Sequence, residues 1–172
     1  GAVEEESHVS ERSTVNGEPP GRRGGLSGRP EQSNGEGQSD RTKVVPASIL
    51  ECLEGRRPRI SSGKRPVDWI HVDDVARGLV ALATAPGIEG GTFDLGSGEL
   101  VTVRDVVERI CRALGVDGPE VGALADRPHE VVRRADPERT AARTGWRPEI
   151  GLDAGLARTI AAFRAERAAG TA

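Results

Sequence analysis

The sequence predicts an α/β domain with helices laid on a small sheet. Two observations point there. From residue 43 onward, short β-branched and aromatic runs alternate with segments of helical periodicity. Most of the helical segments are bracketed by a capping residue or by a closing glycine or proline. A third observation sets the size of the core. Aromatics are only 2% of the 172 residues (Trp69, Trp146, Phe93 and Phe163), so it is built from Val, Leu, Ile and Ala and is modest.

Residues 1–42 differ from all that follows. Single apolar residues are scattered among Gly, Ser, Glu, Arg and Pro. Such a segment cannot bury enough apolar area to offset its ordering entropy, and it is expected to be disordered or loop-like. Residues 43–172 are the expected domain. Val45, Ile49, Leu50, Cys52 and Leu53 fall close to helical spacing and stop at Gly55. Residues 58–61 read as a short strand and residues 67–72 as a better one. Asp73 or Asp74 then caps a helix carrying Val75, Leu79, Val80, Leu82 and Ala83, which ends before Pro86-Gly87. Residues 91–98 read as a strand and a glycine turn. Thr102 opens a helix, with Asp105 standing in for the Glu of a capping box and Gly115 closing it. Its apolar face is Val103, Val106, Val107, Ile110 and Leu114. Residues 120–126 suggest another strand. Asp136-Pro137 caps and starts a short helix that ends at Gly145. The last helix turns Leu156, Ile160 and Phe163 inward.

Several function classes are disfavoured. A net charge of −3 offers no electrostatic footprint for nucleic acid. No apolar run approaches the ~20 residues of a membrane span, and the N-terminus lacks a signal-peptide pattern. A cytoplasmic protein without a membrane partner is expected. Cys52 and Cys111 sit in apolar helical patterns and read as buried free thiols in a reducing compartment. His71 alternates along a strand and reads as structural, and His8 lies in the polar tail. No His, Cys and carboxylate group has metal-ligand spacing along the chain. The stretch "SSGKR" has Pro58 where a phosphate-binding loop needs its first Gly, and Gly21, Gly24 and Gly28 follow no strand.

Four motifs in order carry a resemblance. They are "VDWIHVDDVARGL", "GTFDLGSGELVTVRDVVERI", "DRPHEVVRRADPERTAARTGWRP" and "GLDAGLARTI". Together they resemble the C-terminal half of an extended short-chain dehydrogenase/reductase of the NAD-dependent nucleotide-sugar epimerase/dehydratase family, over roughly residues 43–166. The segment "NGEGQSDRTKVVP" is similar to that family's Tyr-Gly-Pro-Gly-Gln loop, with Asn34 and Glu36 replacing Tyr and Pro. The resemblance implies a partial Rossmann-type fold whose C-terminal α/β region binds a nucleotide-diphosphate sugar.

By the same resemblance, Arg127 matches an arginine that contacts the diphosphate; a planar guanidinium suits paired phosphate oxygens. His129, in the same loop, would reach a phosphate. The family's other phosphate arginine directly precedes the strand's Asp. Val67 holds that place here, and Arg65 is the nearest substitute. Val45, Arg59 and Ser61 lie in segments that flank the nucleotide base in the family. Asp94 stands where many relatives carry Asn. The family's chemistry needs a glycine-rich turn for NAD and a Tyr-x-x-x-Lys pair for proton transfer. This chain has no tyrosine, and its lysines, Lys43 and Lys64, lie outside that context. No catalytic residue and no NAD binding are therefore expected of this chain alone. The order of matched fragments suggests a shortened enzyme that has lost its catalytic helix and N-terminal half. The alternative is a non-catalytic nucleotide-sugar-binding or protein-interaction module, acting as a homo-oligomer or with a complementing chain.

Overall fold

A computed structural model describes residues 27–30, 32–126 and 132–170. In chain order the elements are β1 (Ser27–Pro30), β2 (Gln32–Asn34), α1 (Val44–Leu53), β3 (Arg59–Ile60), β4 (Pro66–His71) and α2 (Val72–Thr84). There follow β5 (Thr92–Leu95), β6 (Leu100–Thr102), α3 (Val103–Leu114), β7 (Glu120–Val121), α4 (Pro137–Thr144) and α5 (Leu152–Ala168).

β4 is the wall shared by two cores. Its side chains alternate faces. Val67 and Trp69 enter a core built with Val45, Ile49 and Cys52 of α1, Val106, Val107, Ile110 and Cys111 of α3, and Leu156, Ile160 and Phe163 of α5. Ile70, on the opposite face, joins a second core with Val75, Leu82, Ile88, Phe93, Leu95 and Trp146. From Val67 to His71 every residue is buried, which accounts for the nearly continuous apolar run. Phe163 is 1% exposed and anchors α5 in the larger core. Burying such a ring stabilises by roughly 2–3 kcal/mol.

Pairing is mostly parallel. β1 lies along β5, with Ser27 opposite Thr92. β2 lies along β4, with Gln32 opposite Trp69, and β6 runs antiparallel on the other edge of β4. β3 pairs with β7. Within residues 1–42, expected to be disordered or loop-like, Ser27–Pro30 and Gln32–Asn34 are strands. A segment too polar to form a strand on its own is held by backbone bonds to apolar strands far along the chain. Residues 1–26 lie outside the described residues.

The helix starts show where local chemistry was legible. The Thr102 hydroxyl accepts from the Asp105 N–H at 3.1 Å and donates to the Asp105 carboxylate. Gly115 closes α3 in the left-handed region at φ +70°. The Asp136 carboxylate accepts from Arg139 N–H, with Pro137 first in α4. α2 departs from expectation. Its cap is His71, whose Nδ1 accepts from the Asp73 N–H at 3.2 Å. Asp73 and Asp74 lie inside the first turn, favourable for the helix dipole, but their carboxylates are spent on tertiary partners.

Both thiols are buried and free, and they face each other across α1 and α3 with Sγ atoms 3.8 Å apart. Burial pushes the Cys52 thiol up to about 12, with the neighbouring Cys111 adding to the effect.

Candidate functional site

Two segments lie side by side at the candidate site. One is β3 with the turn that follows it. The other is β7 with its continuation to Asp126. The Glu120 amide donates to Pro58 O at 2.8 Å, the Gly122 amide to Ser61 O at 3.0 Å, and the Leu124 amide to Ile60 O at 3.2 Å. Arginines extend the seam: Arg57 donates to Gly118 O and Pro119 O, and Arg59 Nη2 reaches Ala123 O at 3.5 Å. At the end of the seam the Asp126 carboxylate accepts from the Ser62 N–H at 3.0 Å and the Ser62 hydroxyl at 2.9 Å. The hydroxyls of Ser61 and then Ser62 hold its carboxyl below the usual carboxylate range.

The turn has a second wall. Gly63 is left-handed at φ +65°, and a Cβ there would stand 2.8 Å from Arg104 Cβ. Its carbonyl accepts from the Arg104 N–H at 2.9 Å, and Arg65 O accepts from Val103 N–H at 3.0 Å. The start of α3 thus fixes the turn from behind.

Of the residues singled out in the sequence, Arg59 is exposed, and Ser61 and Arg65 are half-buried along this seam. Arg127 and His129 lie outside the described residues. Val45 is 2% exposed in the larger core, where helical spacing turns it inward beside Ile49.

Three polar arrangements were not legible in the sequence. Asp68 is fully buried in β4, and its carboxylate accepts from Ser97 N–H, the Ser97 hydroxyl, Gly98 N–H and Ala135 N–H at 2.7–3.0 Å. A Cβ on Gly96 would stand 2.8 Å from Asp68 Oδ2, so only glycine admits this carboxylate. Asp74, also fully buried, accepts from the Glu149 and Ile150 amides at 2.9 Å and pairs with Arg77. The Trp146 indole donates to Asp74 O at 3.1 Å.

The third arrangement joins Glu36, His71 and Asp73, whose donor atoms lie within 4.8 Å of one another. The chain brings together what linear spacing did not suggest. Arg158 of α5 already bridges both carboxylates, at 2.9 Å to Glu36 and 2.7 Å to Asp73. Nδ1 of His71 accepts from a backbone amide, and its Nε2 lies 3.4 Å from Glu36 Oε2. Arg158 and the two carboxylates form an ion-pair clamp beside this ring.

A pyrophosphate cradle needs free amides in a glycine turn that follows a strand and opens a helix. The glycine turn after β5 is not one: it leads into β6, and its Ser97 and Gly98 amides are taken by Asp68.

Comparison with known proteins gives this geometry a relationship. The model of the NAD dependent epimerase/dehydratase family matches residues 22–96. A dTDP-glucose 4,6-dehydratase of Actinoplanes sp. is 32% identical over 127 residues, which are 73% of this chain and 39% of that protein. The Bordetella bronchiseptica enzyme WbmF, solved with NAD+ and UDP, superposes with a TM-score of 0.71 at 28% identity, over 84% of this chain and 47% of that one. Over the matched residues the chain is similar to the NAD-dependent epimerase/dehydratase family. The Thermotoga maritima UDP-glucose 4-epimerase, solved with UDP-glucose, shares the fold at a TM-score of 0.75 and 24% identity, over 83% of this chain and 46% of that one.

The chain spans about two fifths of the length of the curated relatives it matches. Its fold is the expected part of a Rossmann-type extended short-chain dehydrogenase/reductase, an α/β region with helices on small sheets. No helix among its described residues is long and apolar enough to cross a membrane.

Proposed function

We propose that these residues are the substrate-binding half of an NAD-dependent nucleotide-sugar epimerase or dehydratase. They hold a nucleoside-diphosphate sugar through Arg59, Ser61, Arg65 and Arg127. The carrying observation is the seam between β3 and β7. It ties the segment bearing Arg59 and Ser61 to the segment ending at Asp126, immediately before Arg127. UDP in WbmF and dTDP-glucose in the dehydratase relatives support a pyrimidine nucleoside diphosphate as the common element. Without a tyrosine the chain has no phenol to move the substrate proton, so by itself it binds and does not turn over.

Calorimetric titration with UDP-glucose and dTDP-glucose tests this. Binding is expected, about tenfold or more weaker in Arg127→Ala, since one charge-assisted phosphate contact is lost. No binding of either sugar, a variant indistinguishable from the parent, or turnover by the unaided chain overturns the proposal.

A second reading, a protein-interaction module, draws on α2. Val72, Leu79 and Val80 are 38%, 47% and 64% exposed and share one face of that helix.

A further inference from the structure

We infer that Asp126 is a positioning residue for the nucleoside-diphosphate site, an inference that rests on the binding reading above. Its carboxylate holds the turn of Ser61, Ser62, Gly63 and Lys64 in the shape that presents Ser61 and the neighbouring cations.

Three observations carry this. First, the carboxylate lies on the surface, where carboxylates are ordinarily solvated. It is instead bound to the Ser62 amide and hydroxyl. Second, it is delivered there by backbone. The amides of Gly122 and Leu124 are bonded to Ser61 O and Ile60 O, so the chain runs beside the turn up to Asp126. Third, the rest of the turn is already fixed. Gly63 is wedged against Arg104, and the Lys64 amide donates to the Ser62 hydroxyl at 3.3 Å. Asp126 supplies the side-chain contact to the turn from the β7 side, where the Gly122 amide already holds Ser61 O.

A turn ordered before binding does not charge its ordering entropy to the ligand. Losing the carboxylate frees Ser61 and Ser62 and moves that cost into the binding step. The acceptor atoms matter here more than the charge. A positioning role and a direct electrostatic role therefore predict opposite results. A carboxylate acting directly on a diphosphate repels it, and its removal tightens binding. A carboxylate acting through the turn weakens binding when lost, and an amide in its place keeps an acceptor oxygen for Ser62.

The test is titration of UDP and dTDP into the full chain, with thermal denaturation alongside. Asp126→Ala is expected to bind about 3- to 10-fold more weakly, the loss of one or two hydrogen bonds, at an unchanged midpoint of unfolding. Asp126→Asn is expected to stay within about twofold of the parent, and Ser62→Ala to weaken binding without adding to Asp126→Ala in the double variant. Asp126→Ala binding as well as or better than the parent overturns the inference, as does Asp126→Asn falling with it. If Asp126→Ala does not fold, Ser62→Ala alone decides by the same criterion. A parent chain that binds neither nucleotide fails the underlying reading, a result distinct from a binding parent with an indifferent variant.

Discussion

Asp68 is a carboxylate buried to 0% exposure and bound by four donors, three amides and a hydroxyl. An anion can sit there because amides and a hydroxyl replace its water. It ties β4 to the turn after β5 and to the strand-like approach of α4. Asp68→Ala leaves the Ser97, Gly98 and Ala135 amides without an acceptor in a buried place. Each unsatisfied donor costs roughly 1–3 kcal/mol, so the variant is expected to lose at least about 3 kcal/mol in urea denaturation. A loss under about 1 kcal/mol would show that water reaches these amides. In the sequence Asp68 is one letter in an apolar run, and nothing nearby announces its partners, which lie about thirty and seventy positions away. The same distance hid Asp126.

At the scale of elements, local chemistry was readable and long-range pairing was not. Thr102 and Asp105, Asp136 and Pro137, and Gly115 and Gly145 mark helix ends through contacts within a few residues. β1 and β2 escaped notice because their short, polar segments become strands only against β5 and β4, and β6 because it is three residues running straight into α3. His71 took the cap of α2 from Asp73 because Arg158 claims the Asp73 carboxylate. That claim makes α5 sensitive to acid. Arg158 holds the Asp73 carboxyl below its ordinary range, and a backbone bond and Arg158 do the same for Glu36. Groups with lowered folded-state values stabilise above their unfolded values, near 4, and the stabilisation drains as pH falls through the folded ones. Hydrogen exchange in residues 152–168 is therefore expected to speed up below about pH 4 relative to α3, more steeply at low salt. Arg158→Ala should show the faster exchange already at neutral pH and lose the acid dependence. An α5 whose exchange is the same in both forms would place its attachment wholly in Leu156, Ile160 and Phe163.

For the molecule as a whole, the larger core is closed by α1, α3 and α5, while α2 covers the smaller one and leaves an apolar stripe outward. If that stripe is a docking face, sedimentation at micromolar concentration is expected to show self-association that Val80→Glu abolishes. A monomer at all concentrations argues against a homo-oligomer through this face. The strands β1 and β2 have their own consequence. β1 is claimed by residues 92–95 and β2 by residues 69–71. A nascent chain that has emerged only as far as His71 can settle β2, yet β1 must wait for β5 to arrive. Assembly therefore has an imposed order for this pair, with β1 finding its neighbour after β2 and, for that interval, left with an edge open to a competing strand.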